Sequence, residues 1–127
     1  IKALKEAEAY KGPSIVICYA PCIAHNIKGG LAKTQLEAKL ATECGYFPTF
    51  RFNPDLAKEG KNPFTMDSKA PDWSKYHDFL MNEGRYSQLS KINPSKAEEL
   101  LDLNLRDAQK RYENYMARVN DPKYQAK

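Results

Sequence analysis

The sequence contains no apolar run long enough to cross a bilayer, since about 20 consecutive apolar residues are needed, and no signal-peptide pattern. Nor is there a block of charge of one sign. The 20 Lys and Arg residues alternate with 16 Asp and Glu along the chain, leaving a formal net charge of +4. Surfaces that track phosphate backbones concentrate their basic residues, so neither nucleic acid nor membrane is an expected partner. Cysteine is scarce and odd in number: Cys18, Cys22 and Cys44, all in apolar or helical surroundings. That pattern argues against a secreted disulfide framework and suits a reducing, cytoplasmic compartment. The G-x-S-x-G, G-x-x-x-x-G-K and H-E-x-x-H patterns of hydrolases, P-loop proteins and zinc proteases are absent as well. So is an initiator Met. Ile1 runs directly into helical "KALKEAEAY" without a capping signal, as expected of a piece cut from a longer chain.

What is present has the length of one ordinary domain, 127 residues with 42% hydrophobic side chains. Leu4, Ala7 and Tyr10 have helical spacing, and Gly12-Pro13 stops that helix. "SIVICYA" (14–20) follows, apolar at nearly every position and rich in β-branched residues. Such a run suits a strand covered on both faces, as in parallel α/β sheets. Its ladder partners would have to precede Ile1, a second indication that the chain is a fragment. "LAKTQLEAKLATECGYF" sets Ala32, Leu36, Leu40 and either Ala41 or Cys44 on one helix face, with Gly45 as C-cap. "PTFRFNP" and "PFTMDS" read as an edge β-hairpin joined by a long polar loop. Farther on, Trp73, Tyr76, Phe79 and Leu80 share a helix face. Asn93-Pro94 then opens a long helix with Pro at its first position. Leu101, Leu105, Ala108, Tyr112, Tyr115 and Val119 form an apolar stripe along it, ended by Asp121-Pro122. The expected class is α/β: a fragment of an open, mostly parallel sheet, then a β-hairpin and a mainly helical tail. Boundaries are drawn at 1–47, 48–71 and 72–127.

Few side chains offer chemistry. His77 lacks a second metal-type residue at useful spacing and reads as a surface histidine. Glu98, Glu99, Asp102 and Asp107 lie among Lys96, Arg106, Lys110 and Arg111, which reads as a salt-bridged, solvated face. Gly29-Gly30 reads as a flexible helix start rather than an anion site. Cys22 and His25 remain, at the C-terminal end of the expected strand, the edge where open α/β sheets bind ligands. An iron–sulfur cluster or a structural zinc needs about four ligands, and a lone C-x-x-H supplies too few. Spacing alone favours a structural thiol at Cys22. If Cys22 is a ligand, most of its partners lie outside this chain.

The stretch "KEAEAYKGPSIVICYAPCIAHNIKGG" resembles the region near the C-terminus of the pyruvate:ferredoxin (flavodoxin) oxidoreductases. The resemblance continues through "CGYFPTFRFNP", "NPFTMDSKAPDW", "FLMNEGRYSQL" and "RDAQKRYENYMARV". It implies that residues 1–47 end a thiamine-diphosphate-binding α/β domain. It also implies that the complete enzyme uses thiamine diphosphate, Mg2+ and 4Fe-4S clusters to convert pyruvate and coenzyme A into acetyl-CoA and CO2. Ferredoxin or flavodoxin would take the electrons, and the complete enzyme would be a homodimer. The cysteine of the family's Y-x-P-C-I-x-H element is a ligand of the cluster nearest the thiamine, and its match is Cys22. The other ligands and all catalytic residues would precede Ile1, so the isolated chain would bind no cofactor and be inactive. Ile23 and Ile27 would lower the polarity around the cluster. Asn26 stands where the resemblance implies glycine, and Asn tolerates the left-handed backbone such a turn requires. A reading of another class is a non-catalytic helical module that docks a partner through the Leu101 to Val119 stripe.

Overall fold

A computed structural model describes residues 1–124 of the protein, so the last three residues of the expected 72–127 tail lie outside the described residues. It is mostly helical. Helix α1 (Lys2–Ala9) is followed by a segment without regular structure through Gly30, and α2 (Thr34–Glu43) is led in by a 3-10 turn at Leu31–Lys33. Strands β1 (Phe50–Phe52) and β2 (Phe64–Met66) flank α3 (Pro54–Lys58), and α4 (Tyr76–Asn82), α5 (Gly84–Ile92) and α6 (Pro94–Val119) complete the chain.

The core forms where α2, α4 and α6 meet. Ala41 of α2 and Cys44 at its C-cap, Tyr76, Phe79 and Leu80 of α4 and Ala108 of α6 are the buried cluster. The two alanines let α2 and α6 approach the aromatic face of α4 closely. Tyr46 packs on Phe79 with ring centroids 4.6 Å apart, and Trp73 meets Tyr112 edge-on at 6.0 Å. Burying a side chain such as Phe79 or Leu80 contributes about 1.5–3 kcal/mol. Helix α2 ends as expected: Gly45 has φ +84°, and a Cβ there would lie 2.7 Å from the Trp73 ring. Helix α6 starts as expected, with Pro94 in its first turn and the Asn93 side chain accepting from the Lys96 N–H.

The hairpin is antiparallel, pairing Phe50 with Met66 and Phe52 with Phe64. Its connection differs from the expected loop, because Asn53 caps and Pro54 starts the short helix α3. Phe50 and Phe64 both pack on Tyr115 of α6, at 4.9 and 6.0 Å. Arg51 ties the hairpin to α1, with ion pairs to Asp67 at 2.7 Å and to Glu6. The stripe on α6 is thus covered by the chain's own α4 and hairpin: Leu101, Leu105, Tyr112, Tyr115 and Val119 are partly buried and Ala108 is buried. That removes the surface on which the docking-module reading relied.

The expected buried strand is not formed. Residues 14–20 have no ladder partner, and the described sheet is only the pair β1–β2. Ile15 is 85% exposed and Ile17 77% exposed, and Cys18 is exposed with them. The physical reason is the one that made the run conspicuous: a strand apolar on both faces needs neighbouring strands, and the described residues offer none. Among the described residues, no helix is long and apolar enough to cross a membrane.

Candidate functional site

The three cysteines separate cleanly. Cys44 lies in the core, where burial pushes its thiol up to about 11, which makes it a packing residue. Cys18 is exposed on the unpaired segment. Cys22 is exposed too, but it sits in a tight, pinned loop. The Asn26 N–H donates to the Cys22 carbonyl at 3.0 Å, and Asn26 has φ +61°, the left-handed backbone expected at that position. Its own carboxamide oxygen accepts from the Ile27 N–H at 2.8 Å.

At the sulfur, sequence neighbours converge. His25 Nδ1 lies 3.0 Å from Cys22 Sγ. That hydrogen bond, followed by the backbone N–H groups of His25 and Ala24, holds the Cys22 thiol below its ordinary range. Donors aimed at sulfur favour the thiolate, the form that binds metals and attacks electrophiles. The structure therefore brings Cys22 and His25 together, with the imidazole supporting the thiol. Among the described residues no three His, Cys, Asp or Glu side chains gather into a metal-holding group. Of the two isoleucines near Cys22 in sequence, Ile27 is buried and Ile23 is 74% exposed.

The loop is fastened to the junction between α4 and α5. Lys28 N–H donates to the Asn82 carbonyl at 2.8 Å, and Gly84 N–H donates to the Asn26 carbonyl at 3.1 Å. Ile27 and Glu83 form an isolated antiparallel bridge between these contacts. Gly84 is required by this approach, because a Cβ there would stand 1.8 Å from the His25 carbonyl oxygen. Behind the junction, the Tyr19 hydroxyl donates to the buried Glu83, and Asn82 Nδ2 donates to the buried Glu37 at 3.1 Å. None of Tyr19, Glu37, Asn82, Glu83 or Gly84 was singled out by sequence. One signal was available: Glu37 precedes Ala41 by four residues and Cys44 by seven, which places a carboxylate on the core face of α2.

The remaining candidates stay apart from this loop. His77 is exposed on α4, and Glu98, Glu99, Asp102 and Asp107 are exposed on α6, with Glu99 paired to Lys96 at 2.8 Å. Gly29 and Gly30 both have positive φ and turn the chain into the 3-10 turn before α2.

No family model matches the chain. Curated proteins do. It is 53% identical over 115 residues, 91% of its length, to a pyruvate:ferredoxin oxidoreductase of Moorella thermoacetica. Over the same share it is 44% identical to a pyruvate-flavodoxin oxidoreductase of Enterobacter agglomerans. It is also 39% identical over 126 residues to a mitochondrial pyruvate dehydrogenase [NADP(+)] of Euglena gracilis. The chain spans only 7–10% of the length of these relatives. Across nearly its whole length, then, the chain is homologous to a C-terminal fragment of the pyruvate:ferredoxin and pyruvate-flavodoxin oxidoreductases.

Proposed function

We propose that the chain is the C-terminal part of a pyruvate oxidoreductase, in which Cys22 supplies one thiolate ligand of a 4Fe-4S cluster. The observation that carries this reading is the Cys22 loop itself: an exposed thiol, favoured as thiolate by His25, in a loop fixed by backbone bonds to Asn82 and Gly84. Such a residue fits one quarter of a four-thiolate site, whose other ligands lie outside this chain. A bound cluster would supply a one-electron relay at that sulfur. The chain's own residues would fix the sulfur position and supply hydrogen bonds to it.

Residues 1–47 belong in this reading to a thiamine-diphosphate-binding α/β domain, with 48–71 as a hairpin extension and 72–127 as helical scaffold. Ile15, Ile17 and Leu36, the last 65% exposed, would then be covered by the rest of the parent polypeptide, with residues 14–20 paired into its parallel sheet. Thiamine diphosphate, Mg2+, pyruvate and coenzyme A would be held by residues outside this chain, so the isolated chain is inactive. The parent would be a cytoplasmic homodimer. The relatives' names differ in their acceptor (ferredoxin, flavodoxin or NADP(+)) while each matches at least 91% of this chain, so we place acceptor choice outside it.

The test is Cys22→Ser in the complete enzyme. The expected result is lowered iron content and lowered pyruvate-dependent acceptor reduction, with thiamine diphosphate binding retained. Parental iron content and full acceptor reduction would contradict the assignment.

A further inference from the structure

Behind the Cys22 loop lie two buried carboxyl groups that the proposed function does not use. Glu37 is 5% exposed and Glu83 is 8% exposed, in a chain whose other carboxylates lie at or near solvent. Moving a carboxyl group out of water is costly unless it is hydrogen-bonded, and a charged one more so. Glu83 accepts from the Tyr19 hydroxyl, whose ring is itself packed on Phe47 at 5.7 Å and Tyr46 at 5.9 Å. Glu37 accepts from Asn82 through Oε2, while its buried Oε1 has no hydrogen-bond partner. Glu83, which accepts one of these bonds, and Asn82, which donates the other, also hold the loop, together with Gly84. Asn82, Glu83 and Gly84 engage Lys28, Ile27 and Asn26 in turn, all by backbone.

We propose that Glu37 and Tyr19, acting through Asn82 and Glu83, form a brace that sets the position of the Cys22 sulfur, and so of any metal centre it binds. The inference rests on the ligand role of Cys22 given above. Both are positioning residues, since neither is hydrogen-bonded to Cys22 or His25. From the core, α2 fixes Asn82 through Glu37, and the aromatic cluster fixes Glu83 through Tyr19. The α4–α5 junction is thereby held on two sides before it meets the loop. Burial raises the Glu37 carboxyl from its ordinary value, the Asn82 bond opposes that shift, and the nearby Glu83 charge adds to it.

The experiment uses the complete enzyme carrying, one at a time, Glu37→Leu, Glu37→Gln, Tyr19→Phe and Gly84→Ala. The readouts are chelator-driven iron release and the electron paramagnetic resonance signature and midpoint potential of the reduced cluster that Cys22→Ser removes. Loss of an outer partner of a metal ligand commonly weakens metal binding about 10-fold or more. Acting one step farther out, Glu37→Leu and Gly84→Ala are expected to release iron faster, by up to about that factor, and to alter the signature and the potential. Glu37→Gln, which keeps an acceptor for Asn82 and adds no charge, is expected to retain parental values. Tyr19→Phe, the variant with the smallest structural change, is expected to move all three readouts in the direction of Glu37→Leu. Parental iron release and signature in Tyr19→Phe and Glu37→Leu, with only a lowered melting temperature, would overturn the brace. If Cys22→Ser leaves every cluster signal intact, it is the ligand assignment that fails, and the two failures are told apart.

Discussion

Residues 1–30 and residues 41–119 obey opposite rules of burial. In the first stretch only Pro21 and Ile27 are buried, although it contains Ile1, Ile15, Val16, Ile17 and Ile23, all exposed. In the second, the largest fully buried side chains include Tyr76, Phe79 and Leu80, and three helices close around them. Apolar surface of that size, left open beside a packed core, marks where other protein belongs. The difference also explains why the Cys22 loop is built as it is. Besides its internal bonds, it is anchored to the packed region by backbone contacts with Asn82, Glu83 and Gly84.

The largest effect that can test this contrast comes from paired truncations. Phe79→Ala is expected to destabilise the chain by about 3–5 kcal/mol, because it opens a cavity among Tyr46, Tyr76 and Ala108. Ile17→Ala in the same chain is expected to change stability by less than about 0.5 kcal/mol, as an exposed truncation does. In the complete enzyme the two should converge, with Ile17→Ala costing about 2–5 kcal/mol once that side chain is covered. Denaturant titration of both variants in both contexts checks this. An Ile17→Ala variant that is neutral in the complete enzyme would break the comparison.

A smaller effect concerns a charged tie between the two regions, Arg51 with Glu6, in which Arg51 is also paired to Asp67 of its own region. The Asn53 and Arg51 side chains hold the Glu6 carboxyl below its ordinary value, and the Arg51 guanidinium does the same for Asp67. A carboxyl lowered in the folded state stabilises above its unfolded value, about 4, and that contribution is lost as pH falls through the folded value. Glu37 has the opposite sign: raised by burial, it favours the fold at low pH and loses that contribution as pH rises through its folded value. Arg51→Met should therefore flatten the loss of stability between about pH 5 and 3, by no more than about 1 kcal/mol for a partly exposed pair. Melting curves across that range check it. An unchanged acid limb in Arg51→Met would show that the tie carries no stability.

The packed region was largely legible in the sequence. The Trp73, Tyr76, Phe79 and Leu80 face, the cap at Asn93-Pro94 and the glycine stop at Gly45 are local signals whose partners lie within the chain. Helix α3 carries the same signal as α6, an Asn followed by Pro, but its five residues are too few for periodicity to show. "SIVICYA" is not a strand here because its pattern encodes an environment rather than a local preference: hydrophobicity on both faces calls for neighbouring strands that the described residues do not offer. The pairing of Cys22 with His25 was visible as spacing, and the left-handed turn at Asn26 as residue chemistry. The brace was not visible, since Tyr19, Glu37 and Glu83 are joined only by the fold, with Tyr19 and its partner 64 positions apart.

The most direct test of the central claim, that the first region is completed by protein outside this chain, is amide hydrogen exchange of residues 14–20. It should be measured in the isolated chain and in the complete enzyme. The account predicts fast exchange in the isolated chain, where these amides have no ladder partner, and strong protection in the complete enzyme, where they join a sheet. Equally fast exchange in both would contradict it.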